Sequence, residues 1–228
     1  MGLGVMDEGT EQTKVFFAPW IGENYGTEKS IFKKKILVLG GSHYCDDCAT
    51  CGDRILHPEC VSFTRDRIKE YLDLSFRARW KKTYTSFVNS VYGVPSSRDQ
   101  KLQLFSSICF YNYLQIAAGN DPSSAHLFNY KDKNHLDAFY EVIGKIFPDI
   151  VISWGEKVWD ALPDEWGYGM ASKGPILSVT GGNFTSYQTY PYKEKSILLI
   201  GVHHPSSGYD RQKYHEVYSA LGVVPICN

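Results

Sequence analysis

Four short apolar runs along the chain are each closed by glycine or by a polar residue, a pattern typical of buried strands that helices cover on both faces. They comprise residues 36–39, 108–113, 149–154 and 196–202. Apolar positions at helical spacing predict helices after Ser62 or Thr64, over residues 77–91, 135–147 and 156–162, and through Val217. Strands that alternate with helices predict an α/β sandwich with a mostly parallel sheet.

Composition bounds the domain organisation and the class of partner. With 228 residues and 43% hydrophobic content, the chain suits a single domain, predicted over residues 15–228 after a loose polar leader at 1–14. No apolar run reaches about 18 residues and the N-terminus lacks a secretion pattern. We therefore expect a cytoplasmic protein without membrane contact. The sequence does not determine the oligomeric state, and a monomer is the expectation.

The net charge of −1 means that a polyanionic partner must meet a local basic patch. Two such patches occur, one at residues 33–35 and one in which Arg77, Arg79, Lys81 and Lys82 surround Trp80. A solvated basic face is the common alternative for any single charge run.

Polar residues and glycines collect where the four predicted strands end, which in open α/β sheets is where ligands bind. They are Gly41, Ser42, His43 and Tyr44 after the first strand, Asn112 in the second, Gly155 after the third, and His204, Ser206 and Ser207 after the last. Each segment alone fits an ordinary βα turn or a structural amide. Together they predict one site.

In their order and residue types, these segments resemble the motifs of the uracil-DNA glycosylase superfamily. Its members carry a Gly-x-[Asp/Asn]-Pro-[Tyr/Gly] loop, an apolar strand ending in Asn, a strand ending in Trp-Gly or Gly, and a His-Pro-Ser loop. The resemblance covers separated islands between Ile36 and Tyr218. It implies a three-layer α/β sandwich with a mostly parallel, four-stranded central sheet.

The resemblance also implies roles for single residues. Tyr44 would form one side of the base pocket, and Asn112 would hydrogen-bond the edge of the base. Phe63 is a less direct assignment for the ring that stacks on the flipped base. His204 would stabilise negative charge on the departing base. The residues assigned to base binding are Gly41, Tyr44, Phe63 and Asn112, and those assigned to DNA binding are Gly155, Ser206, Ser207, Tyr209 and Arg211.

Two departures from the motifs bear on the chemistry. Ser42 stands where the best-known branch has a water-positioning Asp, and His43 stands where it has Pro. Ser42 can hold a water but brings no charge to a sugar cation, so His43 or Asp46 is expected to substitute, or hydrolysis is weakened. The changes favour a modified, larger base over uracil.

The position of the wedge that replaces an extruded base also departs from the motifs, because Gly208 stands there. Tyr209 follows and could stack in the vacated space, while Arg211 could reach a phosphate. The alternative is that Tyr209 starts the last helix and packs on the core.

Four cysteines follow the first strand end at a spacing that suits soft-metal ligation, namely Cys45, Cys48, Cys51 and Cys60. We expect a structural zinc, with His57 as a possible replacement ligand. An iron–sulfur cluster and ordinary buried thiols are the alternatives. The glycosylase chemistry itself needs no cofactor.

The leading hypothesis is a DNA glycosylase that flips a modified base and hydrolyses its N-glycosidic bond, in DNA repair or in defence against phage with modified DNA. The alternative is a non-hydrolytic binder of nucleic acid or nucleotide on the same fold. A third is a zinc-stabilised interaction module of an unrelated α/β fold.

Overall fold

The computed structural model describes residues 13–45, 57–119 and 128–226 and shows an α/β architecture. Its strands are β1 Trp20–Ile21, β2 Ile36–Gly40, β3 Ile108–Asn112, β4 Ile150–Trp154, β5 Ser172–Lys173, β6 Leu177–Val179, β7 Gly182–Phe184, β8 Tyr187–Tyr192 and β9 Lys195–Val202. Its α-helices are α1 Phe63–Leu72, α2 Lys81–Tyr92, α3 Arg98–Ser107, α4 Lys133–Ile146, α5 Glu156–Ala161 and α6 Arg211–Ala220, and a 3₁₀ helix spans Pro58–Ser62.

The central sheet is mixed and mostly parallel. Within the described residues it has seven strands in the order β1-β3-β2-β4-β9-β8-β5, while β6 and β7 form a separate hairpin. The neighbours β3, β2, β4 and β9 pair in parallel and match the four predicted strands. The prediction of a four-stranded sheet is wrong, because β1, β8 and β5 extend both edges with antiparallel pairs.

Helices cover both faces of the sheet, so the strand residues are buried on either side. Along β2 and β4, Val38 and Ile152 belong to one apolar core, whereas Leu39 and Val151 belong to the other. The alternation follows from the period of two in a strand. Helices α1, α2, α3 and α6 pack on the first core, and α4 and α5 pack on the second.

Helix α3 and strand β8 are the longest of the elements that were absent from the prediction. Helix α3 begins at a capping box, in which Ser97 and Gln100 exchange side-chain and backbone hydrogen bonds. Strand β8 contains Pro191, a residue that demotes a run to an edge strand or a loop. Pro191 is tolerated because the partner β5 pairs only with Gln188 and Thr189.

The N-terminal arm is attached to the domain from its first described residue onward. The Thr13 hydroxyl donates to the Glu141 carboxylate at 2.6 Å, and the backbone N–H groups of Phe16 and Phe17 both donate to Gln115 Oε1. Thr13 and Lys14, which the prediction placed in the loose leader, therefore contact the domain. The rest of that predicted leader, residues 1–12, lies outside the described part. Among the described helices, none is both long and apolar enough to span a bilayer.

Candidate active site

The four strand ends predicted to form a site are adjacent in the sheet. Gly40 is paired with Asn112 at the ends of β2 and β3, and Trp154 is paired with Val202 near the ends of β4 and β9. Parallel strands finish at the same edge of a sheet. The polar residues that follow them therefore share one edge.

The loop after β2 is held in place by backbone hydrogen bonds to the segment after β3. The N–H groups of Tyr113 and Leu114 donate to the carbonyls of Gly40 and Gly41, at 2.9 and 3.0 Å. Further along, Ala118 N–H donates to the His43 carbonyl. This ladder fixes the positions of Ser42 and His43 beyond the end of the sheet.

Asn112 projects across the end of the neighbouring strand, and its side chain is only 6% exposed. A Cβ atom on Gly40 would lie 2.2 Å from Asn112 Oδ1, so glycine is required there by contact rather than by backbone angle. A buried amide needs partners for its donors. Its Nδ2 group lies 3.1 Å from Nδ1 and 3.2 Å from Nε2 of His43.

His43 is buried between two aromatic rings and two polar side chains. Its ring centroid lies 4.4 Å from that of Phe17 and 4.8 Å from that of Phe63. When Nδ1 accepts from Asn112, Nε2–H can donate to the Thr64 hydroxyl at 3.0 Å. The imidazole thus fills the space between Phe63 and Asn112, which the resemblance assigns to the base.

The environment of His43 keeps its imidazole neutral. Burial, and to a smaller extent the charge of Arg67, lowers the pKa of His43 from 6.5 to about 3. With 4% exposure and both nitrogens engaged, the ring offers no free base to a water molecule. The expectation that His43 replaces the missing catalytic acid does not fit this conformation.

His204 lies half-buried beyond β9, with its Nδ1 atom against Ser206. The Ser206 backbone N–H donates to His204 Nδ1 at 3.4 Å, and the Ser206 hydroxyl lies 2.6 Å from the same atom. Nδ1 is therefore an acceptor, which leaves the proton on Nε2. Burial lowers the pKa of His204, so the neutral ring with an Nε2–H donor prevails at neutral pH.

Gly155 provides the turn beside His204. Its φ of +91° is unfavourable for other residues, and its N–H donates to the Val202 carbonyl at 2.8 Å. The indole of Trp154 meets the His204 ring edge-to-face at 6.0 Å. These contacts fix the height of the His204 ring above the sheet.

Tyr130 completes the site and was absent from the prediction, because no motif marks the segment that carries it. Its hydroxyl lies close to Gly41 and near the Ser42 side chain. Burial and the nearby Tyr44 phenol raise the pKa of Tyr130 to about 12, although the Ser42 hydroxyl opposes the shift. Tyr130 is therefore a neutral hydroxyl at physiological pH.

Phe63, the first residue of α1, meets the His43 ring edge-to-face, and the guanidinium of Arg67 lies 4.8 Å from its ring. Ser207 donates from its backbone N–H to the His204 carbonyl, and its side chain is exposed. Arg211 is exposed at the start of α6.

The wedge assignment of Tyr209 is corrected by the structure. Its hydroxyl lies 2.7 Å from Ser90 Oγ and 3.1 Å from the Tyr218 hydroxyl, and its ring stacks on Tyr214 with centroids 4.5 Å apart. These contacts tie Tyr209 to α2 and α6. The side chain packs on the core, which is the alternative considered above.

The cysteine cluster is only partly within the described residues. Cys45, whose N–H donates to the Gly119 carbonyl, and Cys60, in the 3₁₀ helix, are both partly exposed and form no disulfide. Cys48, Cys51 and the alternative acid Asp46 lie outside the described part. The described residues alone contain no group of three metal-binding side chains.

Comparison of the sequence with protein-family models and with curated proteins finds no match.

Proposed function

We propose that the chain is a DNA glycosylase that hydrolyses the N-glycosidic bond of a modified base. The observation that supports this proposal is the adjacency of the four motif-bearing strand ends. Asn112 ends β3 and His204 follows β9. These two strands lie three positions apart in the sheet, which corresponds to about 14 Å at roughly 4.8 Å per strand. That distance suits a base held between two side chains that point inward.

His204 is the proposed electrophile. Cleavage of an N-glycosidic bond leaves negative charge on the base, and a preorganised donor aimed at a base oxygen lowers the barrier. The neutral ring, with Nδ1 held by Ser206, offers its Nε2–H for that bond. Because the pKa of His204 lies below 6.5, this form is available across the neutral range.

Water is oriented by hydroxyl groups in this proposal, since Ser42 replaces the acid and lies near the Tyr130 hydroxyl. Neither hydroxyl is charged at neutral pH, so neither stabilises an oxocarbenium ion as a carboxylate does. The rate then depends on stabilisation of the leaving base. Substrates with good leaving groups, such as bases carrying electron-withdrawing substituents, are expected to react fastest.

A second candidate function is binding of nucleic acid without hydrolysis. The position of His43 between Phe63 and Asn112 favours it, because a base can contact both residues only after the imidazole moves. The hydrogen bonds to Thr64 and Asn112 oppose that movement.

The test is an excision screen on genomic DNAs and oligonucleotides that carry different base modifications, with alkali to reveal abasic sites. His204→Ala should lower the excision rate by roughly 10²–10³-fold, as loss of one preorganised donor does. His203→Ala is the matched control, because the His203 side chain is exposed and bonds the Gly208 carbonyl. Equal rates for wild type and His204→Ala would reject the mechanism, and DNA binding without abasic sites on any substrate would favour the second candidate.

A further inference from the structure

A concave surface between α1, α2 and α3 carries a high density of positive charge. This groove has a volume of about 550 Å³ and is lined by six cations and one carboxylate. The cations are Arg77, Arg79, Lys81, Lys82, Arg98 and Lys101. The chain as a whole has a net charge of −1. The local excess of positive charge in the groove therefore produces a field that attracts anions.

The positive charges of the groove exceed the negative charge that the described residues bring to its lining. Among the described residues, none of the six cations forms an ion pair. The single carboxylate of the lining, Asp73, accepts hydrogen bonds from the N–H and hydroxyl of Ser75. Lys81 donates to the Asp73 backbone carbonyl rather than to the carboxylate. The groove therefore retains its capacity for anionic ligands.

Apolar side chains lie among these cations. Phe76 is 37% exposed, Leu74 is 65% exposed and Leu102 is 38% exposed, and all three line the groove. A solvated basic face has no need of exposed apolar groups. A cationic groove with an exposed aromatic ring suits a strand whose phosphates bind the charges and whose bases stack.

Alternating aromatic and cationic side chains connect the groove with the candidate active site. The Arg67 guanidinium lies 4.8 Å from the ring of Phe63 and 5.6 Å from that of Trp80. Trp80 in turn lies 6.1 Å from Phe76, whose ring is 5.4 Å from Lys81 Nζ. Helix α1 spans about 14 Å between these regions.

We propose that this groove binds the single-stranded DNA segment next to the base held at the candidate active site. The inference rests on the proposed function for the identity of that base and for the direction of the strand. Phosphates contact the cations of the groove and one base stacks on Phe76. Bases within a duplex are already stacked and paired, so Phe76 selects single strands.

Binding is tested with the full chain and fluorescence anisotropy of labelled, unmodified oligothymidylate of about 12 nucleotides, within the site sizes of single-strand binders. Arg77→Ala/Lys82→Ala should weaken binding at least tenfold and reduce the slope of log K against log salt by about 1.4, two contacts at roughly 0.7 each. Phe76→Ala should weaken it by roughly tenfold.

The matched control is Lys33→Ala/Lys34→Ala, which removes the same charge from two exposed residues before β2, at the opposite end of the strand from the candidate site. It should bind as wild type does. Equal weakening by the control and groove variants would overturn the inference. The inference would also be overturned if a DNA duplex of the same length bound as tightly as oligothymidylate and lost as much affinity in the Phe76→Ala variant.

The excision screen separates this inference from the proposed function. Groove-dependent binding of oligothymidylate without excision of any modified base would support the groove and reject the glycosylase. Excision by wild type with unchanged oligothymidylate binding by the groove variants would reject the groove and support the glycosylase.

Discussion

The Ser206 hydroxyl lies 2.6 Å from Nδ1 of His204. His204 precedes Ser206 by two residues in the chain. This contact, together with the Ser206 N–H, assigns the ring proton to Nε2. Ser206 is therefore a positioning residue for the proposed electrophile, and it acts without touching the base.

We predict that Ser206→Ala lowers kcat for excision about fivefold and leaves KM nearly unchanged, since one hydrogen bond contributes roughly 1 kcal/mol. Ser219→Ala is the control, because Ser219 is exposed in α6 and lies outside the candidate site. Single-turnover kinetics on the best substrate measure both. The same loss of kcat in both variants would contradict the positioning role.

The buried imidazole of His43 should make stability depend on pH. Its pKa is about 3 in the folded state and about 6.5 when unfolded, so the unfolded state binds the extra proton between these values. Stability is complete above pH 6.5 and falls as the pH drops toward 3. At about pH 5 the loss from this residue is about 2 kcal/mol.

Urea unfolding of wild type and of His43→Gln, each at about pH 7.5 and at about pH 5, measures this contribution. The glutamine variant should lose about 2 kcal/mol less between about pH 7.5 and about pH 5, because it does not titrate. Other histidines contribute equally to both proteins and cancel. An identical pH dependence in the two proteins would mean that His43 is accessible to protons in the folded state.

Zinc content is the next prediction. If the four cysteines after β2 bind zinc, elemental analysis should find about one equivalent per chain, and chelation should lower Tm. Cys60→Ser should reduce the metal content, whereas Cys109→Ser should not, because Cys109 is completely buried in β3. A brown protein would indicate an iron–sulfur cluster, and a metal-free protein of unchanged Tm would exclude both.

For Tyr209, we predict a loss of stability rather than of activity. Tyr209→Phe removes the hydroxyl that contacts Ser90 and Tyr218, so the free energy of unfolding should fall by about 1–2 kcal/mol. The ratio of excision from duplex to excision from single strands should stay at the wild-type value. Tyr168→Phe, at an exposed tyrosine, should leave stability unchanged.

The parallel centre of the sheet could be predicted because its strands are buried on both faces and therefore form unbroken apolar runs. The edges could not, because β8 carries polar residues and Pro191 and depends on pairing with β9 rather than on its own pattern. Helix α3 could have been predicted from its capping residues Ser97 and Gln100, although its apolar residues do not form a clear helical pattern.

At the candidate site, the strand ends were predictable because motif residues follow the strands directly. Phe17 and Tyr130 were not, because each comes from a segment without a motif and reaches the site only through tertiary packing. The inward position of His43 also depends on partners distant in sequence, Thr64 and Asn112.

The close approach between Gly40 and Asn112 has an evolutionary consequence. Any side chain at residue 40 would place its Cβ atom against the Asn112 amide, so the two positions cannot vary independently. Homologues that keep an asparagine in this orientation should keep glycine opposite it, because a side chain at residue 40 requires the asparagine to be replaced or to move. A glycine and an asparagine paired across adjacent parallel strands thus form a two-residue signature by which distant homologues can be recognised.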